Sequence, residues 1–407
     1  MMTAMPNPAQ SAADHPFQAS AQLSDSTRIA DRTQLSDRTC PAAVAPKAIP
    51  PHTTGQWHPS HASRSSSSAS IPAASDHRRR QQHAIRDATE FRQAADALTQ
   101  AISTAVLGKE TSIRRCVTAL IAGGHILLED TPGTGKTQLA RALANALEAS
   151  YSRIQFTPDM LPGDVTGITV YRQRTGDFTF RPGPIFASIV LADEVNRSSP
   201  KTQSALLEVM EERQVTVDGA RHRVPQPFMV IATQNPYDQA GTYRLPEAQL
   251  DRFFITLSLG APDHAASITL LRQASVIDRA ALVTPVLDGE GILALRSYAE
   301  TIHIGDQVLE YIVRLVEATR HHELIACGAS IRAGLALVRG ARVCAGLEGR
   351  DYVTPDDVRD LAVSVLAHRI VLKSEAICSA TTSRQIIMQL LDNVPAPQSA
   401  AIRRGPR

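Results

Sequence analysis

Residues 125–137, H-I-L-L-E-D-T-P-G-T-G-K-T, constrain what this chain can fold into more than any other stretch. An apolar run ends in a glycine-rich turn, followed by Lys136 and Thr137 and then by Leu139, Leu143 and Leu147 at helical spacing. The pattern predicts a strand, a phosphate-binding loop and a helix. Gly133 and Gly135 permit a tight bend and close backbone approach, so that amide N–H groups can point at a triphosphate. The helix N-terminus adds positive potential at the same place. Lys136 is placed to reach the β- and γ-phosphates, and Thr137 to set its hydroxyl on Mg²⁺. The strict pattern G-x-x-x-x-G-K-[ST] begins with Gly, where this chain has Asp130. A bare G-K-T is also compatible with an ordinary strand-to-helix turn. The strand before it and the amphipathic helix after it are the context the motif requires.

The length of 407 residues allows about two or three domains, and an apolar content of 43% is enough to fill ordinary cores. A formal net charge of +2 gives no strong electrostatic case for nucleic acid or a membrane surface. Cys40, Cys116, Cys327, Cys344 and Cys378 form no C-x-x-C pair, so neither a zinc site nor a disulfide framework is indicated. Reduced thiols in a cytoplasmic protein are the expectation. No stretch has the length of a membrane helix, and the N-terminus lacks the apolar region of a secretory signal.

Residues 1–88 are rich in Ser, Ala, Pro and Gln, with S-S-S-S at 65–68 and R-R-R at 78–80. Such a segment cannot bury enough surface to offset its ordering entropy, so an extension without stable structure is expected. Arg78, Arg79 and Arg80 read as a solvated charge run. Helical patterns follow at 91–106 and 111–122. Apolar strands at 125–129, 151–156, 187–192, 228–232 and 253–258 then alternate with helices. This predicts an α/β domain over 89–260, with a central parallel sheet flanked by helices. From 261 to 395 the pattern becomes helical, near 263–276, 290–302, 306–320, 330–347, 354–368 and 383–391, and predicts a small all-α lid over the nucleotide. Residues 396–407 form a C-terminal tail.

Residues 189–194, I-V-L-A-D-E, are a buried-strand run that ends in two carboxylates, at the strand end where α/β folds bind ligands. There Asp193 is the acid to hold hydrated Mg²⁺. Glu194 is the group to accept a proton from the attacking water, or to orient it. Two acids at a strand end are by themselves often a solvated turn; their place after a phosphate loop favours the catalytic role. The run F-M-V-I-A-T-Q-N-P at 228–236 is another apolar strand. It sets Asn235 to bond the water or the γ-phosphate if the two strands are neighbours, although Asn-Pro is also a turn signal. Arg252, in L-P-E-A-Q-L-D-R-F-F, stands between a short helix and the last strand. Aimed at a neighbouring subunit's γ-phosphate, it stabilises transition-state charge, an effect of about 10³–10⁵ in rate where arginine fingers operate. A local salt bridge to Asp251 or Glu247 is the bland alternative, and Arg244 is a second finger candidate. Arg332, in G-A-S-I-R at 328–332, opens a lid helix and is placed to contact the γ-phosphate from the lid.

Other residues carry less. His321, His322 and Glu323 are consecutive on a helix and do not share a face. His125 opens a strand and reads as a half-buried structural histidine. Q-V-T-V at 214–217 and R-H-R-V at 221–224, joined by Asp218-Gly219-Ala220, predict a hairpin whose basic tip lacks the aromatics of a nucleic-acid platform.

Over about 91–392 the order of these pieces resembles the MoxR family of AAA+ ATPases. The resemblance rests on V-L-G-K-E (106–110), A-G-G-H-I-L-L-E-D-T-P-G-T-G-K-T (122–137), T-P-D-M-L-P-G-D-V-T-G (157–167), A-D-E-V-N-R-S-S-P-K-T-Q-S-A-L-L-E-V-M-E-E (192–212), A-T-Q-N-P (232–236), L-P-E-A-Q-L-D-R-F (245–253) and G-R-D-Y-V-T-P-D-D-V (349–358). It implies a P-loop AAA+ core that binds ATP through Thr131, Pro132, Gly133, Thr134, Gly135, Lys136, Thr137 and Gln138, with Mg²⁺ on Thr137 and Asp193. It makes Glu194, Asn235 and Arg252 catalytic and Arg332 a nucleotide sensor. Residues 164–185 become an insert and 214–227 a hairpin, both of which line the ring pore in relatives. The family usually has Pro where this chain has Ile331. The family implies homo-hexameric rings that hydrolyse ATP to remodel or mature client proteins, often with a partner carrying a von Willebrand factor type A domain. A metal-chelatase motor subunit, a nucleic-acid motor and a non-hydrolysing nucleotide switch are the alternatives. The near-neutral charge disfavours nucleic acid, and the full set of catalytic residues disfavours the switch.

Overall fold

The computed structural model describes residues 84–235, 242–273, 275 and 278–397. Most of the extension predicted to lack structure, Pro236, the end of the helix predicted to reach 276, and most of the C-terminal tail lie outside the described residues.

Helix α1 (Ala88–Ala105) starts at Asp87, whose carboxylate accepts the Thr89 and Glu90 amides. Helix α2 (Glu110–Ile121) follows. Strand β1 (Ile126–Glu129) leads through the glycine-rich loop into α3 (Lys136–Ala146). Next come β2 (Tyr151–Gln155), the short α4 (Pro162–Thr166) and the hairpin of β3 (Gly167–Arg172) and β4 (Asp177–Pro182). Strand β5 (Ile189–Asp193) precedes α5 (Pro200–Glu212), and a second hairpin pairs β6 (Gln214–Val217) with β7 (Ala220–Arg223). Strand β8 (Met229–Gln234), α6 (Glu247–Leu250) and β9 (Ile255–Leu257) complete the α/β part. The two hairpins meet where His222 stacks on Phe180, ring centroids 3.9 Å apart.

The central sheet runs β2-β5-β8-β1-β9, and every pairing is parallel. Its central strands are buried on both faces, which explains their unbroken apolar runs. Alternate residues serve two separate cores. Ile126, Leu128, Ile189, Leu191, Met229 and Ile231 face a core shared with α1, α2 and α3. Leu127, Val190, Ala192, Val230 and Ala232 face one shared with α5.

The C-terminal part contains α7 (His264–Arg272), α8 (Gly289–Thr301), α9 (Asp306–His321), β10 (Ile325–Cys327), α10 (Ile331–Leu347), α11 (Pro355–Leu366), β11 (Val371–Leu372), α12 (Ser374–Cys378) and α13 (Ser383–Asn393). The helix predicted over 263–276 ends at Arg272. The small antiparallel ladder of β10 and β11 is too short to show an alternating pattern in sequence. Ser330 caps α10 by accepting the Arg332 amide, so this helix starts without a proline in its first turn.

One buried histidine, one partly buried histidine and one buried arginine join these parts. His125, at the start of β1, bonds the Met210 carbonyl through Nε2 at 3.0 Å and accepts the Val230 amide on Nδ1 at 3.0 Å. It is fully rather than half buried, with 5% of its surface exposed. His368 Nε2 bonds the Phe253 carbonyl at 3.2 Å. The Arg369 side chain, 2% exposed, bonds Asp251 Oδ1 at 2.8 Å, the Asp251 carbonyl at 3.2 Å and the Phe254 carbonyl at 3.1 Å. Burial lowers the pKa of His125 from 6.5 to about 4 and that of His368 to about 3. Both imidazoles are therefore neutral in the fold and take up protons on unfolding once the pH drops below 6.5. Stability should fall with acidification through that window, by roughly 1–3 kcal/mol per pH unit between pH 6 and 5. Denaturant titrations at pH 7, 6 and 5 check this, and equal unfolding free energies across the series would contradict it.

Candidate active site

Because the sheet is parallel, the C-terminal ends of its strands all reach one edge, and the predicted chemistry collects there. A 380 Å³ cleft is lined on one side by Asp130, Pro132, Gly133, Gly135, Lys136, Thr137 and Gln138. Arg153, Gln155, Asp193, Glu194, Thr233, Gln234 and Asn235 line the other side. Asn235 thus stands beside the two acids, as neighbouring parallel strands require. A second cavity of 500 Å³ adjoins the loop, lined in part by Val106, Leu107, Thr134, Gln138 and Arg279. Thr131 lines neither cavity; its carbonyl accepts Lys136 Nζ at 2.8 Å.

Gly133 and Gly135 have φ of 85° and 95°, the left-handed region that favours glycine, and a Cβ on either would meet nothing within 4 Å. Backbone conformation rather than crowding therefore demands glycine here, and the space above the loop is open. Lys136 folds back to donate to the carbonyls of Asp130 and Thr131. The carboxylate of Asp130 accepts Ser258 Oγ at 2.7 Å, the Leu259 amide at 2.7 Å and the Gly260 amide at 2.9 Å. It ties the start of the loop to the chain leaving β9. Gln138 is turned the other way, with Oε1 accepting the Ala280 amide at 2.9 Å.

The two acids are held differently. Asp193 accepts Thr233 Oγ1 on one oxygen at 2.6 Å and pairs with Arg153 on the other at 2.6 Å. Glu194 sits in a left-handed conformation, φ 57° and ψ 49°, which costs about 1–3 kcal/mol for a side chain of its kind. Bonds from Thr233, Gln155 and the nearby Arg197 hold it there. Its amide donates to Thr233 Oγ1 at 2.9 Å, and Gln155 Nε2 and Arg197 Nε each lie 3.1 Å from its Oε2. Thr233, Arg153 and Gln155 were not singled out in sequence. Thr233 lies within the A-T-Q-N-P run, but its role follows only from the pairing of Ala192 with Ala232. Arg153 and Gln155 depend on β2 lying beside β5, with Gln155 opposite Asp193.

The arginines are elsewhere. Arg252 precedes β9, and its Nε lies 3.2 Å from Glu211 Oε2 rather than pairing with Asp251 or Glu247. Arg332 Nη2 bonds the other oxygen of Glu211. Glu211 is in the last turn of α5, a 13-residue helix that runs from the acid-bearing edge of the sheet to the opposite one. That length is roughly 20 Å. Arg332 therefore lies about one helix length from the two acids of its own chain. Ser330 donates to Asp251 at 2.9 Å, which ties the start of α10 to the strand-entry edge. Arg244 is exposed. His322 Nδ1 accepts the Leu324 amide, a local turn contact.

Residues 125–255 match the ATPase family associated with various cellular activities (AAA), and residues 317–390 match the AAA lid domain. Uncharacterized protein YeaC of Bacillus subtilis is 45% identical over 303 residues, covering 74% of this chain and 95% of that one. Chaperone MoxR1 of Mycobacterium tuberculosis is 38% identical over 306 residues, covering 73% and 81%. The chain belongs to the MoxR family of AAA+ ATPases. A crystal structure of a candidate ATPase from Cytophaga hutchinsonii superposes with a TM-score of 0.72 at 36% identity, covering 79% of this chain and 99% of that one. In this MoxR-family chain the departure at Asp130 has a structural reason, since glycine there removes an acceptor of three hydrogen bonds. Asp130→Gly, which matches the strict phosphate-loop pattern, should therefore destabilise the fold by about 1–3 kcal/mol. Chemical denaturation measures it, and an unchanged or higher unfolding free energy would sink the explanation.

Proposed function

We propose that this chain is the subunit of a ring, a homo-hexamer, that hydrolyses ATP to remodel or mature other proteins. The division of the site carries this reading. Lys136, Thr137, Asp193, Glu194 and Asn235 stand at one edge of the sheet, and Arg252 and Arg332 at the other. On this reading each arginine serves the nucleotide of the neighbouring chain, and a complete site forms where two subunits meet. The name of the mycobacterial relative, a chaperone, supports protein clients. A partner with a von Willebrand factor type A domain fits the same family.

The phosphate loop binds the polyphosphate through its amides and Lys136. The base falls to the adjoining cavity beside Val106 and Leu107. The oxygen donors Thr137 and Asp193 suit Mg²⁺, which keeps most of its ligands as water and phosphate oxygens. Bound there, the ion would supply charge neutralisation on the phosphates. Asp193 keeps acceptor capacity beyond its bonds to Arg153 and Thr233, because each carboxylate oxygen has two lone pairs. Glu194 takes the proton of the attacking water or orients it, with Gln155 and Thr233 fixing its position. Asn235 orients the same water. Arg252 from the neighbouring subunit stabilises charge that develops on the γ-phosphate.

Glu194→Gln should retain ATP while turnover drops by at least about 100-fold, and Arg252→Ala should lower turnover by about 10³. Mixing the two inactive variants tests the shared site. A mixed ring contains interfaces with an intact Glu194 on one side and an intact Arg252 on the other, so part of the hydrolysis should return. No recovery in rings shown by mass to be mixed would refute a site completed between subunits.

A further inference from the structure

Glu211 joins one arginine of the α/β part to one arginine of the lid. Arg252 reaches it through Nε at 3.2 Å, and Arg332 through a terminal nitrogen on the other carboxylate oxygen. A guanidinium has five donor hydrogens. Each arginine therefore spends one nitrogen on Glu211 and keeps the others for an anion. The three side chains are 37%, 31% and 42% exposed, so they stand half open at the surface.

The surroundings are cationic. Burial, and then Arg213 and Arg332, lower the pKa of Arg339. Burial also lowers that of Arg369 to about 10, where the attraction of Asp251 opposes the repulsion of Arg339 and Arg332. Two guanidinium groups set side by side among others of like charge repel each other unless an anion lies between them. Glu211 is that anion, and its backbone is well fixed. The Met210 carbonyl before it accepts His125 Nε2 at 3.0 Å, and Arg213 after it closes α5 in a left-handed cap. A parallel link holds the lid side, where Asp251 accepts both Ser330 Oγ and Arg369 Nε.

We propose that Glu211 is a positioning residue that holds Arg252 and Arg332 together as one two-arginine unit for the anion of a neighbouring subunit. This rests on the proposed interface-shared ATPase site. A half-exposed ion pair adds little to stability, so the effect belongs to turnover. Losing the carboxylate lets the two arginines splay apart, and a misplacement of about 1 Å can cost about 100-fold in rate.

The test measures ATP turnover of the full chain for Glu211→Gln, Glu211→Asp, Arg252→Ala, Arg332→Ala and the double variant Glu211→Gln/Arg252→Ala, with assembly mass and thermal midpoint beside each. Glu211→Gln should lower kcat by about 10–100-fold, with KM for ATP changed less than about 3-fold because the nucleotide cleft is at the other edge. Assembly and thermal midpoint should stay as in wild type. Glu211→Asp should regain part of the rate, since it keeps the charge. The double variant should be no slower than Arg252→Ala alone, because both changes disable one unit. A Glu211→Gln protein with wild-type kcat, while Arg252→Ala collapses, overturns the role of Glu211 and leaves the finger intact. Faster turnover in Glu211→Gln also overturns it, by making Glu211 a restraint. Loss of assembly in both Glu211 variants assigns it a structural role instead. Wild-type turnover in both Arg252→Ala and Arg332→Ala rejects the shared-site reading itself, and the role of Glu211 with it.

Discussion

A parallel sheet has two chemically different edges, and this molecule is organised around that fact. Every strand of the β2-β5-β8-β1-β9 sheet points the same way, so every strand exit lies on one edge and every strand entry on the other. The phosphate loop, both acids and Asn235 follow strands or close them, and they gather at the exits. Arg252 precedes β9, and Glu211 ends the helix that returns from the exits, so both fall at the entries. No rearrangement of side chains within one chain brings the two sets together. The separation is fixed by backbone direction, and the proposed sharing of the site between subunits rests on it.

Polar side chains then fix what the apolar layers leave adjustable. A sheet face packed against helices buries surface without specifying the position of a loop to a few tenths of an ångström. Asp130, Thr233 and Arg369 supply that position. Asp130 seats the phosphate loop on the chain leaving β9. Thr233 bonds the Asp193 carboxylate and the Glu194 amide at once, and so sets the spacing of the two acids. Arg369 satisfies carbonyls at the entry to β9 from the lid side, where an unpaired charge would be costly. Each of the three connects segments distant in sequence, which is why the site needs the whole fold.

How far the sequence reaches follows from the same distinction. The phosphate loop, the Asp193-Glu194 pair and the helices at 88–105 and 110–121 are legible because contiguous residues carry them. Thr233, Arg153 and Gln155 are not, because their meaning depends on which strand lies beside β5 and in which register. Glu211 stands among Glu208 and Glu212, and nothing local separates the three; the phase of α5 and the docking of α10 choose one. The pairing of Arg252 with Glu211 is hidden for the same reason, since a linear reading offers only sequence neighbours such as Asp251 and Glu247 as local partners. Asp251 is instead taken by Arg369, more than a hundred positions away. Arg332 shows the converse. Its place at the start of a helix was readable, but which edge of the sheet that helix begins on was not.

The C-terminal part is fastened both to α3 and to the strand-entry edge, and this bears on how the phosphate loop and the arginine pair are linked. Along α3, which runs back from the exits toward the entries, Gln138 and Asn145 grip the amide and the carbonyl of Ala280, at 2.9 Å and 2.7 Å. The two residues are seven apart and share a helix face. The Val286 amide bonds the Ala146 carbonyl at the end of the same helix. Near the entries, Asp251 and Glu211 hold Ser330 and Arg332. The helix that opens at the phosphate loop is therefore bonded to the segment leading into the lid, and the lid is bonded to the arginine pair. A packed core moves between discrete arrangements rather than deforming gradually. A shift of α3 on the loop's ligand must either carry the lid with it or break the bonds at Ala280. If the lid is carried, Arg332 moves relative to Arg252, and Glu211 is the group that has to follow both.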